Sequence, residues 1–382
     1  MSLEHSQLRS RATGRAITFG IIGGYGATGR AVASELFKSP NGDILIGGRD
    51  LAKGTALARQ LGSRVSAARL DVLDPHSLDD FSSRCSILIN CAGPVMALRD
   101  RVAQAAFRAR CHYIDVAGMS FVKERMLPHA REIADMGLSF VVSAGWMPGL
   151  SEFLPAYAVA QARAQMDALE SLSIYFGDSG EWSDNALRDG AHYLRQIGFR
   201  SPRYFRKGNW TRVKISQASC KVDLGTPVGV GRFSLFSTPE LEELGRQLND
   251  CDVFPYSYLS GFRTAVAGTL IALFPLPQST AVRMLRKVFR RNRLPIDGFV
   301  VAHVVGRSRE RRLRFTAQIV YRDRGDYWIN GLVPALVARM IANGERVRRG
   351  IHYLADAVNP ISFMAELRKS GVEQTENLQP CQ

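Results

Sequence analysis

Along the first 150 residues, apolar positions switch between two periods. A charge-free run, Ile17, Phe19, Ile21 and Ile22, leads into Gly24-x-Gly26-x-x-Gly29, after which Val32, Ala33, Leu36 and Phe37 recur at helical spacing. Such a run suits a parallel strand covered on both faces, so the order is strand, glycine turn, helix. The alternation continues, predicting strands over 43–50, 65–70, 86–90, 113–116 and 138–144 and helices over 77–81, 98–109 and 121–136. Six strands alternating with helices predict an α/β fold: a Rossmann doubly wound parallel sheet over 16–150.

Beyond residue 150 the pattern loosens. A helix is expected over 151–166, a strand over 172–176, a loop over 177–182 and a helix over 183–196. Short strand-like pieces between 210 and 236, and another at 315–321, are broken by Gly and Pro. They predict a second, α+β domain of mostly antiparallel sheet over 151–328. The apolar segment 265–276 is too short to span a bilayer. It precedes a stretch where Arg283, Arg286, Lys287, Arg290, Arg291 and Arg293 interleave with Val282, Met284, Leu285, Val288 and Phe289. That stretch is a core helix with a solvated basic face, an anionic membrane surface contact, or a mouth for an acidic substrate or carrier protein.

A length of 382 residues favours two domains. The formal charge of +15 suits nucleic acid, an anionic membrane surface, or an anionic cofactor and substrate. Spread along the chain without a reader motif, it argues against nucleic acid. The six cysteines show no C-x-x-C pair and no regular spacing, so neither a zinc site nor a disulfide framework is expected. Residues 1–15 are polar, without the apolar core of a secretory signal, and are read as a flexible tail. No run of eighteen apolar residues occurs, and the expectation is a cytoplasmic protein.

The glycine loop has the spacing of a dinucleotide fingerprint. Gly24 permits the turn, Gly26 lets the backbone approach a pyrophosphate, and Gly29 lets helix pack on strand. Gly23, Tyr25, Ala27 and Thr28 complete the phosphate-binding loop. Where an NAD fingerprint places an acid, this chain has Gly48-Arg49. A guanidinium there suits a 2′-phosphate, so NADP is the expected cofactor, with Lys53 as a second cation. The alternative is a solvated Arg49, with Asp50 taking the ribose. Asp71 and Val72 are placed near the adenine, and Ala92, Gly93 and Pro94 near the nicotinamide.

These residues carry a resemblance. GGYGATGR (23–30), GGRD (47–50), INCAGPV (89–95), CHYIDVAG (111–118) and AGWMPGL (144–150), taken in this order, resemble the saccharopine dehydrogenase-like oxidoreductases. That family includes saccharopine reductases and trans-acting enoyl reductases. INGLVPALVARMIANG (329–344) and GIHYLADAVNP (350–360) extend the resemblance towards the carboxyl terminus. It implies an NADP domain and a sheet-based second domain serving substrate and dimerisation. Helices over 329–382 would return to the first domain. The turn at Ala92, Gly93 and Pro94 is similar to the enoyl-reductase branch, and Pro148-Gly149 to the saccharopine branch.

Ala117 and Gly118 join the cofactor set, and Ser179, Gly180 and Trp182 lie in a small-residue loop of the kind that faces the cofactor in that family. The alternative for that loop is a surface turn. Trp146 is assigned to a wall of the substrate pocket. Tyr-x-x-x-Lys is absent, and the histidines show no metal-ligand spacing. Candidates for proton transfer or substrate polarisation are His112, Tyr113 and Asp115, with Tyr175 next; each has a packing or capping alternative. Three functions fit. They are an NADP-dependent reductase of a C=N bond in a small anionic substrate, an NADP-dependent reductase of a C=C bond in an acyl or polyketide-like lipid, and a non-catalytic NADP sensor. A homodimer is expected.

Overall fold

The computed structural model describes residues 17–179, 182–197, 202–258, 262–290, 294–325 and 327–381. The N-terminal tail, Gly180, Arg291 and Arg293 lie outside them. The chain forms two units. One runs to Leu150 and resumes over Tyr327–Leu367; the other runs from Ser151 and takes back the tail from Arg368.

The first unit begins β1 (Thr18–Ile22), α1 (Ala27–Phe37), β2 (Asp43–Gly48), α2 (Leu51–Leu61), β3 (Val65–Arg69), α3 (Pro75–Ser83) and β4 (Ile87–Asn90). It continues α4 (Val95–Leu98), α5 (Arg101–Ala109), β5 (His112–Asp115), α6 (Met119–Met126), α7 (Ala130–Asp135) and β6 (Ser139–Val142). Leu150–Arg163 is α8. The second unit follows with β7 (Ala168–Asp178), α9 (Asp184–Ile197), β8 (Arg203–Arg206), β9 (Asn209–Arg212), β10 (Ser219–Asp223), β11 (Val230–Leu235), α10 (Pro239–Gln247) and β12 (Asp252–Tyr258). Then come α11 (Phe262–Leu273), α12 (Gln278–Phe289), β13 (Gly298–Ser308) and β14 (Arg311–Tyr321). The last elements are α13 (Trp328–Ala342), β15 (Gly350–Tyr353), α14 (Leu354–Ala357), α15 (Pro360–Lys369) and β16 (Glu373–Pro380).

The first sheet has the order β15-β6-β5-β4-β1-β2-β3, with every pair parallel. The chain steps outward from β1 through β2 and β3, then returns to β1's other side for β4. The sheet therefore has its switch point between β1 and β4, where ligands of open α/β sheets bind. Ile21, Ile22, Leu45, Leu88, Tyr113 and Phe140 are buried within it, as strands covered on both faces require. The helix expected over 121–136 is broken by a 3₁₀ turn at Leu127–His129, where Pro128 has no N–H to continue the ladder.

The second sheet runs β10-β11-β12-β7-β13-β14-β16, with β8 pairing β12 and β9. Its pairs are antiparallel except β7 with β12, which are parallel, with Pro255 opposite Ile174. The segment 329–382 departs from the helical expectation. It contributes β15 to the first sheet and β16 to the second, beside the helices α13, α14 and α15.

Candidate functional site

The carboxyl ends of β1, β2, β4 and β5 carry most residues that the sequence singles out, and local geometry explains each placement. After β1, Gly23 takes φ +74°, a conformation L side chains avoid. Its N–H and that of Gly24 both donate to Gly47 O, at 2.9 and 3.2 Å. A side chain on Gly24 would meet Ile46 Cγ2 at 2.8 Å, and one on Gly29 would overlap the Gly23 carbonyl. At Gly26 the nearest atom to an added Cβ is Gly23 O at 3.1 Å, and Gly26 and Ala27 are exposed. The ground above Gly26 is open to a ligand. Gly26 caps α1 without a side-chain bond, and the first turn holds no acid. The amides of Ala27, Thr28 and Gly29 thus form the positive end of a helix, and a diphosphate fits this cradle.

Beside the loop, the Tyr25 ring covers Gly48, and its hydroxyl accepts from Asp50 N at 3.0 Å. Asp50 is turned towards α2, which it caps: Oδ1 accepts from Lys53 N at 3.1 Å, and Oδ2 lies 3.5 Å from Lys53 Nζ. The Lys53 amide in particular holds the Asp50 carboxyl below its ordinary range. Arg49 is exposed and makes no ion pair among the described residues. At the end of β3, Asp71 Oδ1 accepts from Leu73 N at 3.0 Å, and Val72 packs against the core.

After β4, Asn90 Oδ1 accepts from Ala92 N at 3.1 Å and sets the turn through Gly93 and Pro94. Ala92 backbone atoms lie 3.0 Å from where a Gly23 Cβ would stand, so the two crossover turns meet at the switch point. Neighbouring Cys91 has its thiol pushed far up by burial and by Asp115, so it is no thiolate nucleophile.

Asp115, at the end of β5, is 1% exposed. Its Oδ1 accepts from Gly118 N and from Ser143 N, the latter at 2.9 Å, and its carbonyl accepts from Ala144 N at 2.7 Å. One side chain thus ties down the turns after β5 and β6, including Ala117 and Gly118. Burial pushes its carboxyl up to about 6 against the pull of these amides. Oδ2 and Tyr113 Oη are both buried without a hydrogen bond among the described residues.

Two candidates for proton transfer are placed elsewhere. Tyr113 is fully buried against Phe140, with 5.5 Å between ring centroids, and burial raises its phenol far above the ordinary value. His112 begins β5, at the opposite edge of the sheet from the glycine loop. Its Nδ1 accepts from Ser139 N at 3.1 Å, and burial, with Arg349, lowers its pKa to about 4. The strand's direction thus removes His112 from the ligand edge, and core packing removes Tyr113.

After β6, Gly145 N donates to Pro148 O at 3.1 Å and Leu150 N to Gly145 O at 3.1 Å, closing a small loop. Trp146, 3% exposed, is part of the interior, and its backbone N–H donates to Asn330 Oδ1 on α13 at 2.9 Å. Asn90, Ser143 and Asn330 were not singled out by sequence. Asn90, ending a buried strand just before a Gly-Pro turn, is the one with a local signal.

The other candidates lie in the second unit. Tyr175 is stacked on Tyr256, with centroids 5.3 Å apart, and meets Phe233 edge-on at 5.1 Å. Burial raises its phenol, so it is a packing residue of the sheet. Ser179 Oγ donates to Ile296 O at 2.8 Å. Trp182 stacks on Phe289 at 4.5 Å and lines a cavity of about 240 Å³ with Asp184, Leu187, Arg286, Phe289 and Arg290. Gly180 is outside the described residues.

Residues 19–141 match the sequence model of the saccharopine dehydrogenase NADP-binding domain. A probable mitochondrial saccharopine dehydrogenase-like oxidoreductase of Arabidopsis thaliana is 29% identical over 137 residues, 32% of this chain and 30% of that protein. A human saccharopine dehydrogenase-like oxidoreductase is 26% identical over 149 residues, 38% of this chain and 34% of that protein. The matches therefore span about a third of these relatives. The Saccharomyces cerevisiae saccharopine dehydrogenase (L-Glu forming) superposes with a TM-score of 0.66 over 94% of this chain and all of that one, at 15% identity. Residues 19–141 are accordingly an NADP-binding domain of the saccharopine dehydrogenase type, and the chain is saccharopine dehydrogenase-like in sequence there and in fold over nearly its full length.

Proposed function

We propose that the protein is an NADPH-dependent reductase acting on a C=N bond of a small, carboxylate-bearing substrate. The observation that carries the cofactor part is the division of labour after β2. Asp50 is spent on capping α2, while Arg49 stands exposed beside it. A guanidinium in that place pairs with a 2′-phosphate, and the carboxylate that would repel one is turned to its own helix. The amides of Ala27, Thr28 and Gly29 would take the diphosphate, with Gly26 letting it approach and Asp71 and Val72 at the adenine side. The turns at Ala92, Gly93 and Pro94 and at Ala117 and Gly118 would face the nicotinamide. Bound NADPH would supply a hydride.

The choice of C=N rests on the placement of the acids. His112 Nδ1 and Asp115 Oδ1 are hydrogen-bonded inside the first unit, and Tyr113 is fully buried in its core. A protonated imine carries its own proton, so the protein need orient it and exclude water. An enoyl group requires a donor to the developing enolate. The test is NADPH oxidation by the purified chain with a panel of amino acid and keto acid pairs, run beside enoyl thioesters. Turnover with the former supports the reading, and turnover confined to the latter replaces it with the C=C one. The exposed apolar and basic surface of α11 and α12 favours that second reading. Tight NADPH binding without turnover of either class would indicate a sensor.

A further inference from the structure

In the second unit, α9, α11 and α12 pack on one another through Leu187, Ala191, Ile271, Ala281, Val282 and Leu285. That interior accounts for one face of each helix. The face of α11 left outside is apolar: Val266, Leu270 and Leu273 are 38, 37 and 52% exposed, and Phe274, just past the helix end, is 53% exposed. The spacing of four and three puts Val266, Leu270 and Leu273 on one side of the helix. The outer face of α12 is cationic. Arg283, Arg286, Lys287 and Arg290, also at helical spacing, line a depression of about 240 Å³. Arg286 pairs with Asp184, while Arg283 and Lys287 have no acidic partner among the described residues.

We propose that the hairpin of α11 and α12 docks on an anionic phospholipid surface. The proposal commits to a bilayer because two chemistries occur side by side. Exposed leucines and a phenylalanine gain by entering the acyl boundary, and a row of cations complements headgroup phosphates. With twelve residues, α11 is about 18 Å long and does not cross a hydrocarbon core of about 30 Å, so it lies on the surface. No helix among the described residues is long and apolar enough to span. A small free anion would use the cationic depression and leave the leucines without a role.

The test is co-sedimentation of the full chain with phosphatidylcholine vesicles, with and without phosphatidylserine. The account predicts binding to the phosphatidylserine vesicles and little to phosphatidylcholine alone. The triple variant Arg283→Glu, Lys287→Glu, Arg290→Glu, which keeps the Arg286 pair, is expected to bind at least about 100-fold more weakly. Leu270→Ser with Leu273→Ser and Phe274→Ser should also lose binding. All six positions lie on outer faces, and unchanged melting curves confirm folding. Three results would overturn the proposal. One is no sedimentation. Another is binding that inorganic phosphate abolishes and the apolar variant retains. The third is a dimer by light scattering that the apolar variant converts to monomer without any vesicle binding. The proposal is independent of the reaction assigned above, since NADPH oxidation with soluble substrates is measured without vesicles.

Discussion

At the scale of residues, Asp115, offered by sequence as a candidate for proton transfer or substrate polarisation, positions two turns through one carboxylate oxygen. Its carboxylate holds Gly118 N and Ser143 N, yet burial raises its pKa from 3.8 to about 6. The folded state therefore binds the proton more tightly than the unfolded one. The stability this group contributes is fully present below about pH 4 and is lost as pH rises through about 6. Asp115→Asn keeps an acceptor oxygen and has no proton to lose. Thermal melts of both proteins between pH 4 and 7 should show the variant gaining on the wild type across that window and levelling above it. Parallel curves would remove the assigned burial effect. Tasks of single glycines were partly legible. Gly29 packs helix against turn as the fingerprint demands, whereas the positive φ falls on Gly23, one place before the glycine expected to make the turn.

Elements were legible where periodicity is strong. The strands β1, β2 and β4 and the helix after the glycines are apolar on the faces that the structure buries. Five strands escaped notice: β8, β12, β13, β15 and β16. β12 carries Pro255, which counts against an interior strand, and is tolerated beside β7. The apolar β13, GFVVAHVVGRS, is rich in valine and follows Pro295 and the turn dipeptide Asp297-Gly298, so its signal was present in the sequence. The polar β16, EQTENLQP, is held to β14 by tertiary pairing that no local pattern announces. Helix contacts yield a paired prediction. On α13, a Cβ at Gly331 would overlap Ala31 of α1, while on α11 one at Gly268 would meet nothing within 4 Å. Gly331→Ala should destabilise by about 1–3 kcal/mol despite better helix propensity. Gly268→Ala should stabilise by roughly 0.5–1 kcal/mol. Chemical denaturation of both variants checks the contrast, and equal shifts would argue against close packing of α13 on α1.

At the scale of the whole molecule, the charge of +15 is the feature that composition alone left open. Part of it is balanced locally, as where Arg307 and Arg312 share Glu170 and Arg322 meets Glu373. These exposed pairs are screened by solvent and contribute little to stability. Two cationic features have stronger candidates for anionic partners: Arg49 beside the glycine loop, and the outer face of α12. The first is the foundation of the functional account, because both reductase readings and the sensor reading need the same coenzyme. Isothermal titration calorimetry of the full chain with NADPH and NADH, repeated with Arg49→Ala, tests it most directly. The account predicts NADPH binding about 10–100-fold tighter than NADH, with the difference abolished in the variant. Absence of heat with either coenzyme, or an unchanged preference in Arg49→Ala, would contradict it.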